Sequence, residues 1–208
     1  MPAYLRDPEA IYALSFELIR AEVPLERFPP ALRATVVRLV HACAMPEIAA
    51  ELAWSDDPVS AGRIALAAGG TILADARMVA AGIMAARLPP GGRIVATLDD
   101  PAVPELARTI GTTRSAAAVD LWRPHLEGAV VAIGNAPTAL FHLLDRLAVW
   151  PERPAAILAF PVGFVGAAES KEALIAADLG VPFLTLRGRR GGSALAAAAV
   201  NALLMEPT

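Results

Sequence analysis

The chain is poor in the residues that most often announce a function. A single cysteine, Cys43, among 208 residues rules out an intrachain disulfide and with it the stapled scaffolds of small secreted proteins. Histidine is nearly as scarce. His125 and His142 stand at no metal-like spacing to Cys43 or His41, so no metal site is expected. Cys43 follows His41 by two residues, which on a helix points the two side chains to different sides, so a Cys-His nucleophile pair is not supported and a buried thiol is expected. Neither G-x-G-x-x-G nor G-x-x-x-x-G-K-[ST] occurs, which leaves no fingerprint for a dinucleotide or a P-loop nucleotide.

Positive charge is not in surplus. A net charge of -3 provides no general basic surface for nucleic acid, and any anionic ligand must be met by local arginines. Long apolar runs are missing too, although 56% of the residues are hydrophobic and the mean hydropathy is +0.51. The longest, Ala194 to Met205, is about a dozen residues and contains Asn201, short of the roughly 20 needed to span a bilayer. The opening residues place acids and Pro8 before any apolar run, without the basic-then-apolar order of a signal peptide. With the lone cysteine, this leads us to expect a cytoplasmic protein without a membrane segment.

What is present is organised. Two amphipathic helices are expected first, Pro8 to Glu22 and Ala31 to about Cys43, joined by the proline-bounded PLERFPP. Pro46 should end or kink the second, with a third helix continuing through Trp54. Beyond that point the short apolar runs TILAD, RIVATL, GAVVAIG, AAILAFP and VPFLTL alternate with helical patterns, the signature of parallel βαβ units. With no repeat and no long linker, residues 1–208 read as one α/β domain.

Ligands in such sheets bind at the carboxyl ends of the strands. The loops expected there are Asp75-Ala76-Arg77, Asp99-Asp100, Asn135 to Thr138, Val162 to Lys171 and Arg187 to Ser193. RGRRGGS at Arg187 to Ser193 sets three arginines among glycines before a helix, a combination suited to carboxylate or phosphate, or else a solvated basic turn. Arg114 and Ser115 open a helix in TTRSAAAVDLW. A cation is unfavourable there unless it meets an anion; the alternative is a threonine cap with an incidental arginine. Asn135 and Thr138 flank Pro137 and could contact a ligand or cap a helix. In Gly163 to Lys171, Glu169, Ser170 and Lys171 offer polar groups at a helix start, and the competing reading is a tight turn with solvent-facing charges. His41 lies near the end of an apolar helical pattern, a place suited to a proton donor; a satisfied core histidine is the alternative.

Taken together, RLVHACAMPE (Arg38 to Glu47), AIGNAPTAL (Ala132 to Leu140) and PVGFVGAAESKEAL (Pro161 to Leu174) resemble the precorrin-8X methylmutase family. The likeness extends through SFELIRAE (Ser15 to Glu22), ILADARMV (Ile72 to Val79), DPAVPELARTIGTTRSAAAVDLW (Asp100 to Trp122) and TLRGRRGGSALAAAAVNAL (Thr185 to Leu203). It implies a three-layer α/β/α fold with a mainly parallel central sheet and a helical N-terminal segment. It further implies an isomerase of cobalamin biosynthesis that moves a methyl group from C11 to C12 of precorrin-8X, giving hydrogenobyrinate by an intramolecular 1,5-sigmatropic shift, without methyl donor, metal or nucleotide cofactor. A homodimer with sites near the subunit interface is implied as well. Residue by residue, the resemblance makes His41 the catalytic histidine and Ser15 a substrate contact, with Arg114, Asn135 and Arg187 in matched substrate loops. Ala44 stands where the family usually has glycine, Pro46 is unusual, and Met84-Ala85 replace a more polar pair, often Thr-Arg, before Arg87. Two other readings share the pocket: a corrinoid carrier without turnover, and a methylmutase acting on the cobalt-containing precorrin.

Overall fold

The computed structural model describes residues 4–205. Two helices come first, α1 (Pro8–Glu22) and α2 (Pro30–Cys43). Asp7 caps α1 by accepting from the Glu9 and Ala10 amides, and Pro8 supplies a preset φ at the first helical position. The expected third helix is not there. Pro46–Glu51 forms a short 3-10 turn and the chain then enters a strand, β1 (Leu52–Trp54). Three residues are too few to show a period, and β1 exists because β6 lies beside it.

Then follow α3 (Pro58–Ala67), β2 (Thr71–Ala74), α4 (Arg77–Gly82), β3 (Arg93–Val95), α5 (Val103–Ile110), α6 (Arg114–Asp120), β4 (Val130–Ile133), α7 (Pro137–Leu147), β5 (Ala156–Ala159), α8 (Ala167–Ala176), β6 (Phe183–Leu186) and α9 (Ser193–Leu203). The six strands form one sheet in the order β1-β6-β5-β4-β2-β3. All neighbours are parallel except β1 and β6, which run antiparallel with Leu52 opposite Leu186.

Burial on both faces explains why β2, β4, β5 and β6 read as continuous apolar runs. Ile72, Ala74, Val130, Ala132, Leu158 and Leu184 face one core with α3, α4 and α9. Leu73, Val131, Ile133, Ile157 and Phe183 face the other, with α7, α8 and Val119 of α6. This is the expected α/β/α arrangement. The N-terminal helices add to it from outside: α2 packs on α9 and α1 packs on α2.

Strand order reverses between β2 and β4, where a doubly wound sheet usually opens a crevice for ligand. Here the crevice is filled from within. The buried Asp75 carboxylate, at the end of β2, accepts from the Gly134, Asn135 and Ala136 amides at 3.0, 2.9 and 2.8 Å. Burial pushes the Asp75 carboxyl above its ordinary value, and the three amides pull it back. Backbone groups that would suit a phosphate are thereby occupied by the protein's own anion.

Candidate active site

Residues HACAMP decide where α2 stops. Ala44 adopts a left-handed conformation (φ 54, ψ 34) and returns its N–H to the Val40 carbonyl, a cap normally given to glycine because a Cβ is strained there. The turn leaves His41 on the last helical turn, exposed to solvent. The core-histidine reading is therefore incorrect. Ser15, on the overlying α1, places its Oγ 2.9 Å from His41 Nδ1.

Aromatic rings hold the imidazole from the side. Tyr12 lies 5.1 Å from it and Phe16 meets it edge-on at 5.3 Å between centroids, while the buried Arg38 guanidinium stacks over Phe16 at 5.4 Å. His41 Nε2 has no protein hydrogen-bond partner among the described residues. The imidazole borders two hollows. One, of about 220 Å³, is lined by Ser15, Leu18, Ile19, Glu22, Val40, Ala44 and Pro46; the other, of about 130 Å³, by Tyr12, Arg38, Met84, Ala198 and Asn201. Met84 is fixed there, since buried Asn201 accepts from its N–H and donates to the Gly82 carbonyl. Cys43 is half-buried rather than buried, its Sγ donating to the Leu39 carbonyl, and burial raises its thiol above the usual value.

The other expected site residues stand at the carboxyl edge of the sheet. Thr113 caps α6 through the Ala116 amide, as the bland reading of that helix start supposed. Arg114 is exposed, donates to the Leu98 carbonyl at 3.2 Å and lies 3.9 Å from Asp99, which also pairs with Arg77 at 2.9 Å. The cation thus already faces a carboxylate. Asn135 follows β4; its amide is taken by Asp75 and its exposed side chain is free for other work. Arg187 follows β6 and pairs with Glu172. Arg190 bonds Glu47 at 3.0 Å, and Arg189 stacks on the exposed Phe164 at 5.5 Å. Neither hollow beside His41 is lined by Arg114, Asn135 or Arg187. Within one chain the site residues therefore fall into two groups, Ser15 with His41 on the outer helices and the rest along the sheet edge.

Two of the polar groups expected on the loop after β5 turn inward. Ser170 donates to the Ala167 carbonyl, and Lys171, with no exposed surface, donates to the Arg190 carbonyl. Asp75, expected in a ligand-facing loop, is instead a buried organising residue that accepts from the Gly134, Asn135 and Ala136 amides.

A mainly parallel α/β sheet, a sheet edge rich in arginine and a hydrogen-bonded histidine on an outer helical layer define an α/β protein with two groups of candidate site residues. The precorrin-8X methylmutase family model matches residues 10–206. The chain is 57% identical over 203 residues to the precorrin-8X methylmutase of Pseudomonas aeruginosa, covering 98% of each. It is 38% identical to the cobalt-precorrin-8 methylmutase of Salmonella typhimurium, covering 97% and 96%. The solved precorrin-8X methylmutase of Thermus thermophilus superposes with a TM-score of 0.84 at 40% identity, covering 94% of both chains. The chain belongs to the precorrin-8X methylmutase family, and it is an isomerase.

Proposed function

We propose that the chain acts in cobalamin biosynthesis as a single domain in a reducing cytoplasm, moving the methyl group of precorrin-8X from C11 to C12 to give hydrogenobyrinate. The hydrogen-bonded Ser15–His41 pair in an open hollow carries the reading. In the protonated imidazole Nδ1–H donates to the Ser15 hydroxyl oxygen and the second ring proton resides on Nε2, the nitrogen without a protein partner. From there His41 can donate to the ring C region and withdraw electron density from the conjugated system. The bond from C11 to methyl breaks as the bond from methyl to C12 forms, and the proton lent by His41 returns, so atoms and electrons balance without a co-reactant. No cofactor is required by this chemistry. Arg114, Asn135 and Arg187 would meet the acetate and propionate carboxylates through charge-assisted and neutral hydrogen bonds.

A homodimer fits the division of these residues into two groups. Ile11, Leu14 and Leu18 form an apolar stripe along α1 that is left uncovered, beside the hollow that Ser15 and His41 share. A second copy lying on this stripe would roof the hollow and bring further polar groups to it. The metal-free substrate is favoured over the cobalt form by the much higher identity to the Pseudomonas enzyme than to the Salmonella one. Purified protein incubated with precorrin-8X should change its absorption spectrum as the conjugation path changes. An unchanged spectrum with bound chromophore would leave a corrinoid carrier instead.

A further inference from the structure

Of the chain's 18 lysines and arginines, Lys171 alone is a lysine, and it has no exposed surface. A buried ammonium loses several kcal/mol of hydration, and one hydrogen bond to a carbonyl returns only part of it. Its one protein acceptor among the described residues is the Arg190 carbonyl, 2.6 Å away. A methionine or leucine would fill the same space without that penalty, so packing does not explain the choice.

The loop that Lys171 holds would otherwise be loose. Arg187 to Gly192 contains three glycines, two of them at positive φ (Gly188 75, Gly192 122), and such a segment loses much backbone entropy when ordered. Its shape is set by successive ties. The Arg187 amide donates to the Glu51 carbonyl at 2.8 Å, Gly163 donates to the Arg189 carbonyl at 3.2 Å, and Gly192 donates to Phe160 at 2.7 Å. A Cβ on Gly191 would come 2.2 Å from the Phe160 carbonyl oxygen, so the loop backbone lies against the end of β5. Lys171 supplies the one tie made by a buried charged side chain, and its neighbour Glu172 takes the Arg187 guanidinium.

We infer that Lys171 is a positioning residue: its buried ammonium fixes the Arg187–Gly192 loop so that the loop's arginines meet the substrate carboxylates in a set geometry. This rests on the reading that the loop contacts substrate. Its effect should fall on binding more than on chemistry, because the reacting carbons lie with His41.

The test compares Lys171→Met, Arg187→Ala and wild type by melting temperature, by native-state trypsin cleavage after Arg187, Arg189 and Arg190, and by KM and kcat for precorrin-8X. Lys171→Met should keep the wild-type melting temperature or exceed it, be cut in the loop about tenfold faster, and raise KM about tenfold with kcat nearly unchanged. Unchanged loop cleavage overturns the inference, as does a Lys171→Met chain that fails to fold, which would make the lysine a core residue. Unchanged KM in Lys171→Met while Arg187→Ala raises it also overturns the inference but leaves the loop in the site. Faster cleavage with KM unchanged in both variants removes the loop from the site and overturns the substrate reading along with the functional part of the inference.

Discussion

At the residue scale the imidazole of His41 is held on one nitrogen by Ser15 and left without a protein partner on the other. His41→Asn retains bulk and a polar side chain but cannot cycle a proton near neutral pH. Turnover should drop by about 10²- to 10⁴-fold, with the melting temperature and product affinity close to wild type, all measured on one preparation. A core role would instead lower stability and binding together. Ala44 offers a separate test of local strain. Its left-handed backbone (φ 54) disfavours any residue with a Cβ by about 1 kcal/mol. Ala44→Gly should therefore raise the melting temperature by about 2 to 4 °C, read by calorimetry; no rise would mean the turn carries no strain.

Among the elements, the helices and loops following the parallel strands carry several exposed ion pairs. Arg114, at the start of α6, shares Asp99 with Arg77, and a substrate carboxylate can replace that exposed partner. Arg114→Ala should weaken product binding by roughly 1.5 to 3 kcal/mol, and added salt should weaken wild-type binding as well. Equal affinity in the folded variant would make the arginine structural. Helix α8 yields a pH prediction. Burial lowers the Lys171 ammonium to about 8, with Glu172 opposing, whereas the unfolded chain keeps its ordinary value. Between those two values the unfolded state binds more protons, so stability should rise as pH increases from about 8 toward 10.5. Denaturant titrations should show this rise in wild type, less of it in Lys171→Met, and an identical pH profile in the two would contradict the lysine's assigned state.

For the whole molecule, the uncovered stripe on α1 and the separation of Ser15 and His41 from the sheet-edge residues point the same way. Light scattering should report about twice the chain mass of 21.6 kDa, and Ile11→Glu with Leu14→Glu should give monomers, since burying two unpaired carboxylates is prohibitive. Wild type that is monomeric at micromolar concentration and still active would exclude a shared site. Among the described residues no helix is long and apolar enough to cross a membrane, and the high hydrophobic fraction instead fills the two cores on either side of the sheet.

The local pattern determined much of this by itself. Strands buried on both faces must be apolar throughout, so β2, β4, β5 and β6 were legible as runs, and Pro8 and Pro46 marked the start of α1 and the end of α2. Other features depended on residues far apart in the chain. β1 is three residues long and takes its strand geometry from β6, so the local signal pointed to a helix instead. Asp75 meets amides about 60 residues away, and no spacing rule links them. His41 stood out by its place at a helix end and Ser15 only through likeness to a family; their hydrogen bond exists because α1 lies across α2. Lys171 looked like a group offered to solvent or ligand, yet the glycine loop before α9 closes over it. Periodicity reports which face of an element is buried, whereas burial of a single charge is decided by which distant backbone comes to rest against it.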